Sequence, residues 1–111
     1  MATSFLFNRV NINGIPCIET ASITESATTV TYNFNPSPAV NPRFSGIIAV
    51  RVDETPTNIA LPVSFNVPSI AGSTIALMLP GGAQATGADL DSIGIYLVFY
   101  DRFNGVLQLL V

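Results

Sequence analysis

The strongest constraint in this chain is a two-residue alternation of apolar and polar side chains. In Leu61-Pro62-Val63-Ser64-Phe65-Asn66-Val67 the residues Leu61, Val63, Phe65 and Val67 fall on one side, and Pro62, Ser64 and Asn66 on the other. Thr29 to Phe34 repeats the pattern, with Val30, Tyr32 and Phe34 facing one way and Thr29, Thr31 and Asn33 the other. Successive side chains of a strand point to opposite faces, so each run reads as a half-buried strand of an antiparallel sheet. No window carries the 3.6-residue stripe of an amphipathic helix. Proline cannot donate to a ladder, so Pro62 is expected to put its strand at a sheet edge or at a bulge.

Turn chemistry divides the rest. Asn13-Gly14 separates Leu6–Ile12 from Ile15–Ile18, and Asn104-Gly105 separates Ile95–Phe103 from Val106–Val111. Both central residues of a type I′ turn need positive φ, which Asn and Gly tolerate, so each pair predicts a tight hairpin. In the second hairpin this sets Phe103 opposite Val106, Tyr100 opposite Leu109 and Val98 opposite Val111. Ile47–Val52 and Ser73–Leu79 supply further aliphatic strands. The three prolines of Asn35-Pro36-Ser37-Pro38-Ala39-Val40-Asn41-Pro42 predict an extended loop, and residues 80–87 a second one. Thr86-Gly87-Ala88-Asp89 suits one capped helical turn, whereas Ser22-Ile23-Thr24-Glu25 precedes poor helix material and reads as a turn. The sum is an all-β chain, residues 1–111 forming one antiparallel β-sandwich or jelly-roll-like domain of about seven to eight short strands, with Asn-Gly hairpins near both termini.

Composition narrows function by exclusion. The charged residues are four arginines (Arg9, Arg43, Arg51, Arg102) and seven carboxylates (Glu19, Glu25, Asp53, Glu54, Asp89, Asp91, Asp101), with no lysine, histidine or tryptophan. Without an imidazole there is no Ser-His or Cys-His nucleophile pair, and without lysine no P-loop or Schiff base. Cys17 is the sole cysteine, so neither an internal disulfide nor a multi-thiolate metal site is available. Its apolar flanks read as a small buried thiol. A net charge of -3 with scattered arginines argues against direct nucleic-acid contact. The longest apolar stretch, Ile93–Tyr100, falls far short of the roughly 18 to 20 residues of a membrane-spanning helix. The start, Met1-Ala2-Thr3-Ser4-Phe5, lacks the basic and apolar regions of a secretory signal, so the expectation is synthesis in a cytoplasm.

Few residues remain as candidates for chemistry. Asp89-Leu90-Asp91 has ligand-like spacing, but a calcium site takes 6–8 oxygens, and turn carboxylates that accept neighbouring N–H groups are the simpler reading. The two could also act as a glycosidase acid and base, although no tryptophan platform accompanies them. No catalytic, cofactor or metal residue is nominated, and the chain reads as a non-enzyme. Candidate interaction residues are Phe5, Leu6 and Phe7, either core or an arm pairing with a neighbouring subunit, and Arg43 and Phe44 beside the proline loop. Hydrophobic residues make up 49% of the chain, yet a domain of this size buries only roughly 65% of its chain area. Some apolar surface must therefore stay outside, which favours self-association or docking into an assembly.

The stretches Phe44-Ser45-Gly46-Ile47-Ile48-Ala49-Val50-Arg51-Val52, Ala60-Leu61-Pro62-Val63-Ser64-Phe65, Gly94-Ile95-Tyr96-Leu97-Val98-Phe99-Tyr100-Asp101 and Leu107-Gln108-Leu109-Leu110 together resemble small β-rich virion proteins of tailed phages, in particular auxiliary or decoration proteins of the head in the crAss-like group. The resemblance spans about residues 44 to 111 and is made of strand chemistry, so it transfers no site. It implies a protein without enzyme activity, made in the bacterial host cytoplasm and bound in many copies to the capsid surface. The major capsid protein or another virion protein would be its partner, alongside further copies of itself. The alternative is a glycan- or cell-surface-binding module of a fibre or appendage, for which Tyr32, Tyr96 and Tyr100 are the rings to ask about.

Overall fold

The computed structural model describes residues 11–12, 15–37, 40–90 and 93–110. They form strands β1 (Asn11–Ile12), β2 (Ile15–Glu25), β3 (Val30–Phe34), β4 (Gly46–Val52), β5 (Val63–Asn66), β6 (Ile75–Met78), β7 (Gly94–Asp101) and β8 (Val106–Leu109), with one 3₁₀ turn at Gly87–Leu90. The chain is all-β. Seven of the strands follow one another as β2-β3-β5-β6-β8-β7-β4, and a β2–β4 pairing closes the ring into a barrel; β1 adds a short extension to β2.

The ring differs from an antiparallel sandwich. Its β2–β4, β3–β5 and β6–β8 contacts are parallel, and the others are antiparallel. Alternation along a strand fixes its two faces but not its neighbour. Antiparallel pairing is forced only where a tight turn joins two strands, whereas the long connections around residues 35–45 and 53–62 let the chain cross over and pair in parallel. Two strands turn the corners of the barrel. β2 pairs with β4 through Cys17–Glu19 and then with β3 through Thr20–Glu25, with a register shift between Thr20 and Ser22. β6 pairs with β5 at Ile75–Ala76 and with β8 at Leu77–Met78. Such irregularities sharpen the local twist and let one strand serve two sheet segments.

The inward faces fill the barrel. Val30, Tyr32, Phe34, Val63, Phe65 and Val67 are buried as the alternation predicts, with Leu61 half-buried at the edge of the cluster. They meet Ile48, Val50 and Val52 of β4, Val98 and Tyr100 of β7, and Leu107 and Leu109 of β8. The Phe65 ring sits at the centre, 4.7 Å from Phe34 and 5.7 Å from Tyr32 between centroids, in the tilted geometry aromatic pairs prefer.

Three local expectations are corrected. Pro62 does not put β5 at an edge: β5 lies between β3 and β6, and Pro62 stands just ahead of it. There Pro62 owes the ladder no N–H, while its carbonyl accepts from Val30 N (3.0 Å) and Val63 N donates to Ala85 O (2.9 Å). Ser22–Glu25 is strand rather than turn, because its side chains pair along β3; the reversal comes at Ser26–Thr29, where Ser26 Oγ accepts from the N–H groups of Thr28 and Thr29. The β7–β8 hairpin pairs Asp101 with Val106, Tyr100 with Leu107 and Val98 with Leu109, so its loop has four residues, not two. Asp101 is the reason. Its carboxylate accepts from Phe103 N and Asn104 N and from Asn104 Nδ2, which tightens a longer turn that Gly105 completes at φ 66°. A shift by two residues keeps every side chain on its expected face. At the first hairpin, Asn11 pairs with Pro16 and Ile12 with Ile15. Asn13-Gly14 itself and the residues before Asn11 lie outside the described residues.

Thr86 to Leu90 forms the expected capped turn, with Asp89 Oδ2 accepting from Thr86 N at 2.9 Å. This turn is laced to the loop preceding β5 by Gly87 N to Leu61 O (3.2 Å) and Ala88 N to Ile59 O (2.9 Å). A Cβ on Gly87 would stand 2.8 Å from Ile59 Cα and 3.0 Å from Pro56 Cγ, so only glycine permits this approach. Gly87→Ala is therefore expected to push the two loops apart and cost about 1–3 kcal/mol, the usual range for overpacking. A urea midpoint unchanged from wild type would show that the loops separate freely.

Candidate docking surface

The same alternation that fills the barrel aims a second set of residues outward, and on one flank these too are apolar. In β4, Ile48, Val50 and Val52 point in, so Ile47, Ala49 and Arg51 point out. In β7, Val98 and Tyr100 point in, and Ile95, Leu97 and Phe99 point out. Register aligns them as Ile47 with Phe99, Ala49 with Leu97 and Arg51 with Ile95. β2 continues the rows, with Cys17 beside Ala49 and Glu19 beside Arg51. On the far side Phe99 pairs with Gln108, and Leu110 N donates to Leu97 O at 2.8 Å. Ile47, Ile93, Ile95, Phe99 and Leu110 are all exposed. Cys17 and Ala49, though on this flank, are buried, and burial pushes the Cys17 thiol up, helped by Glu19 and opposed by Arg51.

Opposite charges bound this flank at its two ends. Past the end of β4 lie Asp53 and Glu54, just beyond the Glu19–Arg51 pair. Before its start lies Arg43, and Arg102 follows β7 at the same end, donating from Nη1 to Arg43 O at 3.0 Å. Arg102 also stands 5.8 Å from the centroid of Phe103, within cation–π range. Phe103, at the tip of the β7–β8 hairpin, is 88% exposed, the most exposed large apolar side chain among the described residues. Next to this tip β2 and β4 splay apart. Their ladder begins only at Cys17 and Ala49, since Pro16 has no N–H to extend it, and an open groove of about 450 Å³ remains between Ile15, Pro16, Phe44, Gly46, Ile47 and Phe99.

Of the residues nominated from sequence, Arg43 is exposed at this end of the flank, and Phe44 divides its ring between the groove and the core. Phe5, Leu6 and Phe7 lie outside the described residues. Phe103, Phe99, Ile47 and Ile95 were missed. A signal for three of them existed: Ile47-Ile48-Ala49-Val50 and Ile93 to Tyr100 are apolar without alternating, the mark of strands apolar on both faces.

Glu25, Asp89 and Asp101 serve turns and loops. Glu25 accepts from Thr57 N (2.9 Å) and Asn58 N (3.2 Å), pinning the loop before β5, and these donors hold its carboxyl below the usual range. Asn104, through its side chain and then its N–H, does the same for Asp101, with Phe103 N adding to it. Asp91 lies outside the described residues, and among those described no three His, Cys, Asp or Glu side chains gather into a metal site. Tyr32 and Tyr100 are buried in the core, and Tyr96 is half-buried against it. Among the described residues no helix is long and apolar enough to cross a membrane. No protein-family model, curated protein or solved structure matches the chain.

Proposed function

We propose that this protein is a non-enzymatic structural component of a virion, an auxiliary or decoration protein that docks onto the head of a tailed phage. The family is suggested by the resemblance of its strand segments. The observation that carries docking is the hairpin tip, where an exposed Phe103 with Arg102 and Arg43 beside it stands at the end of an apolar flank of Ile47, Ile95, Phe99 and Leu110. Exposed contiguous apolar area on a small domain marks a partner surface, and aromatic and arginine side chains are the residues enriched where interfaces carry their energy. The mechanism is passive. A clamp that binds only the assembled head stabilises it by mass action, and needs rigid apolar anchors rather than reactive groups. The partner is the major capsid protein or another virion protein, and the location is the capsid surface. The glycan-binding alternative has no such support, because two of its three tyrosine rings lie in the core.

Cosedimentation with assembled heads tests this reading. Wild type is expected to pellet with heads and not with unassembled capsid protein. Phe103→Ser, which removes an almost fully exposed ring and leaves the core intact, is expected to weaken binding by about 10–100-fold. A protein that stays in the supernatant with its cognate heads overturns the proposal.

A further inference from the structure

The flank has features that favour one particular occupant, a second copy of this chain. Along the flank β4 and β7 run about seven residues and β2 and β8 about three or four, so at ~3.3 Å per residue and ~4.8 Å between strands the footprint is on the order of 300 Å². This falls in the range of the largest apolar patches of ordinary monomers, and is smaller than the ~800 Å² that each partner of a stable complex buries. An area of this size suits only a weak, concentration-dependent association.

The charges at the two ends say how a second copy would lie. Among the described residues, one end holds Arg43 and Arg102 with a single carboxylate, Asp101, already turned onto the hairpin N–H groups. The other end holds, among the described residues, Glu19, Asp53 and Glu54 with a single guanidinium, Arg51. Between them the outward residues of β4 and β7 are apolar apart from Arg51. Two copies stacked with strands parallel would set like ends together. Two copies related by a two-fold axis lying in the flank and perpendicular to β4 would run antiparallel, and each basic end would fall on the partner's acidic end. An isologous interface repeats every such contact twice, and complementary potentials fix orientation more than they add affinity.

We propose that the β2–β4–β7–β8 flank is a homodimer interface, two copies packing sheet on sheet through Ile47, Ile95, Phe99 and Leu110, antiparallel, with Arg43 of each facing Asp53 of the other. The proposal rests on the docking reading above only in taking the flank as a covered surface, and it leaves the Phe103 tip for a different partner.

Sedimentation velocity on the full chain without any capsid, from micromolar to near-millimolar concentration, tests it. Wild type is expected to pass reversibly from monomer to dimer across that range. Phe99→Glu places a charge within the apolar rows of the flank, on the outer face, and is expected to hold the chain monomeric, with a cooperative urea transition showing that it folds. Arg43→Glu and Asp53→Arg should each weaken the dimer by at least tenfold, and mixing the two should restore it, because both junctions of the mixed dimer then pair opposite charges. A chain that stays monomeric throughout, or a dimer indifferent to Phe99→Glu, overturns the interface. A dimer lost with Phe99→Glu but not restored by mixing overturns the antiparallel arrangement. A dimer that ignores phage heads keeps this inference and removes the virion reading; a monomer that binds heads does the reverse.

Discussion

Phe65→Ala is expected to remove about 3–5 kcal/mol of folding free energy, the usual cost of deleting a buried phenyl ring. Phe65 has no exposed surface, lies level with Tyr32 across the parallel β3–β5 pairing, and packs its ring against both Phe34 and Tyr32. Side chains from the other strands of the barrel share its core, so the cavity has little freedom to collapse. A domain of this kind has about 5–15 kcal/mol in total, and the variant should therefore be largely or wholly unfolded in mild denaturant. Phe99→Ala provides the control. That ring is partly exposed on the outer flank, and its loss should change stability by less than about 1 kcal/mol. Urea titrations of the two variants decide the matter, and a Phe65→Ala midpoint close to that of Phe99→Ala would show that the barrel interior is not the core.

The second large effect is alkaline. Tyr32 has no exposed surface, and its hydroxyl has no hydrogen-bond partner among the described residues. Burial first, then Tyr96 and the carboxylates of Glu25 and Glu54, push its pKa from 10.0 up to about 12. In the unfolded chain this phenol ionises near its ordinary value, while in the folded barrel it keeps its proton. The contribution is thus fully present below pH 10 and is lost as pH rises toward about 12. Two pKa units correspond to about 2–3 kcal/mol, so the urea midpoint of wild type should fall across that window. Tyr32→Phe deletes both the titration and an unpaired buried hydroxyl. Its stability at neutral pH should equal wild type or exceed it by about 1 kcal/mol, with a flatter alkaline profile. A variant less stable than wild type at neutral pH would mean that the hydroxyl has a partner after all.

Much of the fold is legible along the chain, and the misses are instructive. Val30, Tyr32, Phe34, Val63, Phe65 and Val67 occupy the interior because alternation leaves them no other consistent side. The β7–β8 hairpin is legible from Asn104-Gly105, but its register is not, since Asp101 lies outside the dipeptide and captures the turn through its carboxylate. Pro62 misleads because the rule against proline in central strands concerns a missing N–H, and the first position ahead of a strand does not need one. The tie from Glu25 to Thr57 and Asn58 joins residues more than thirty positions apart, and no local pattern announces it. The docking flank is half legible. Arg43 is readable from its place beside a stiff loop, whereas Phe99 and Ile47 sit in unbroken apolar runs that reveal two apolar faces without saying which one faces out.

The sequence by itself determined that this chain is all-β, that it carries neither lysine nor histidine, and which side chains of β3 and β5 share a face. Each of these follows from period, composition or turn chemistry, all of them local quantities. Tertiary structure alone decided that the strands close into a mixed barrel, that β2 and β6 turn its corners, and that one flank keeps an apolar outer face between a basic and an acidic end. A period of two assigns a residue to one of two faces; which neighbour a strand takes, and whether anything covers its second face, depends on contacts between segments far apart in the chain.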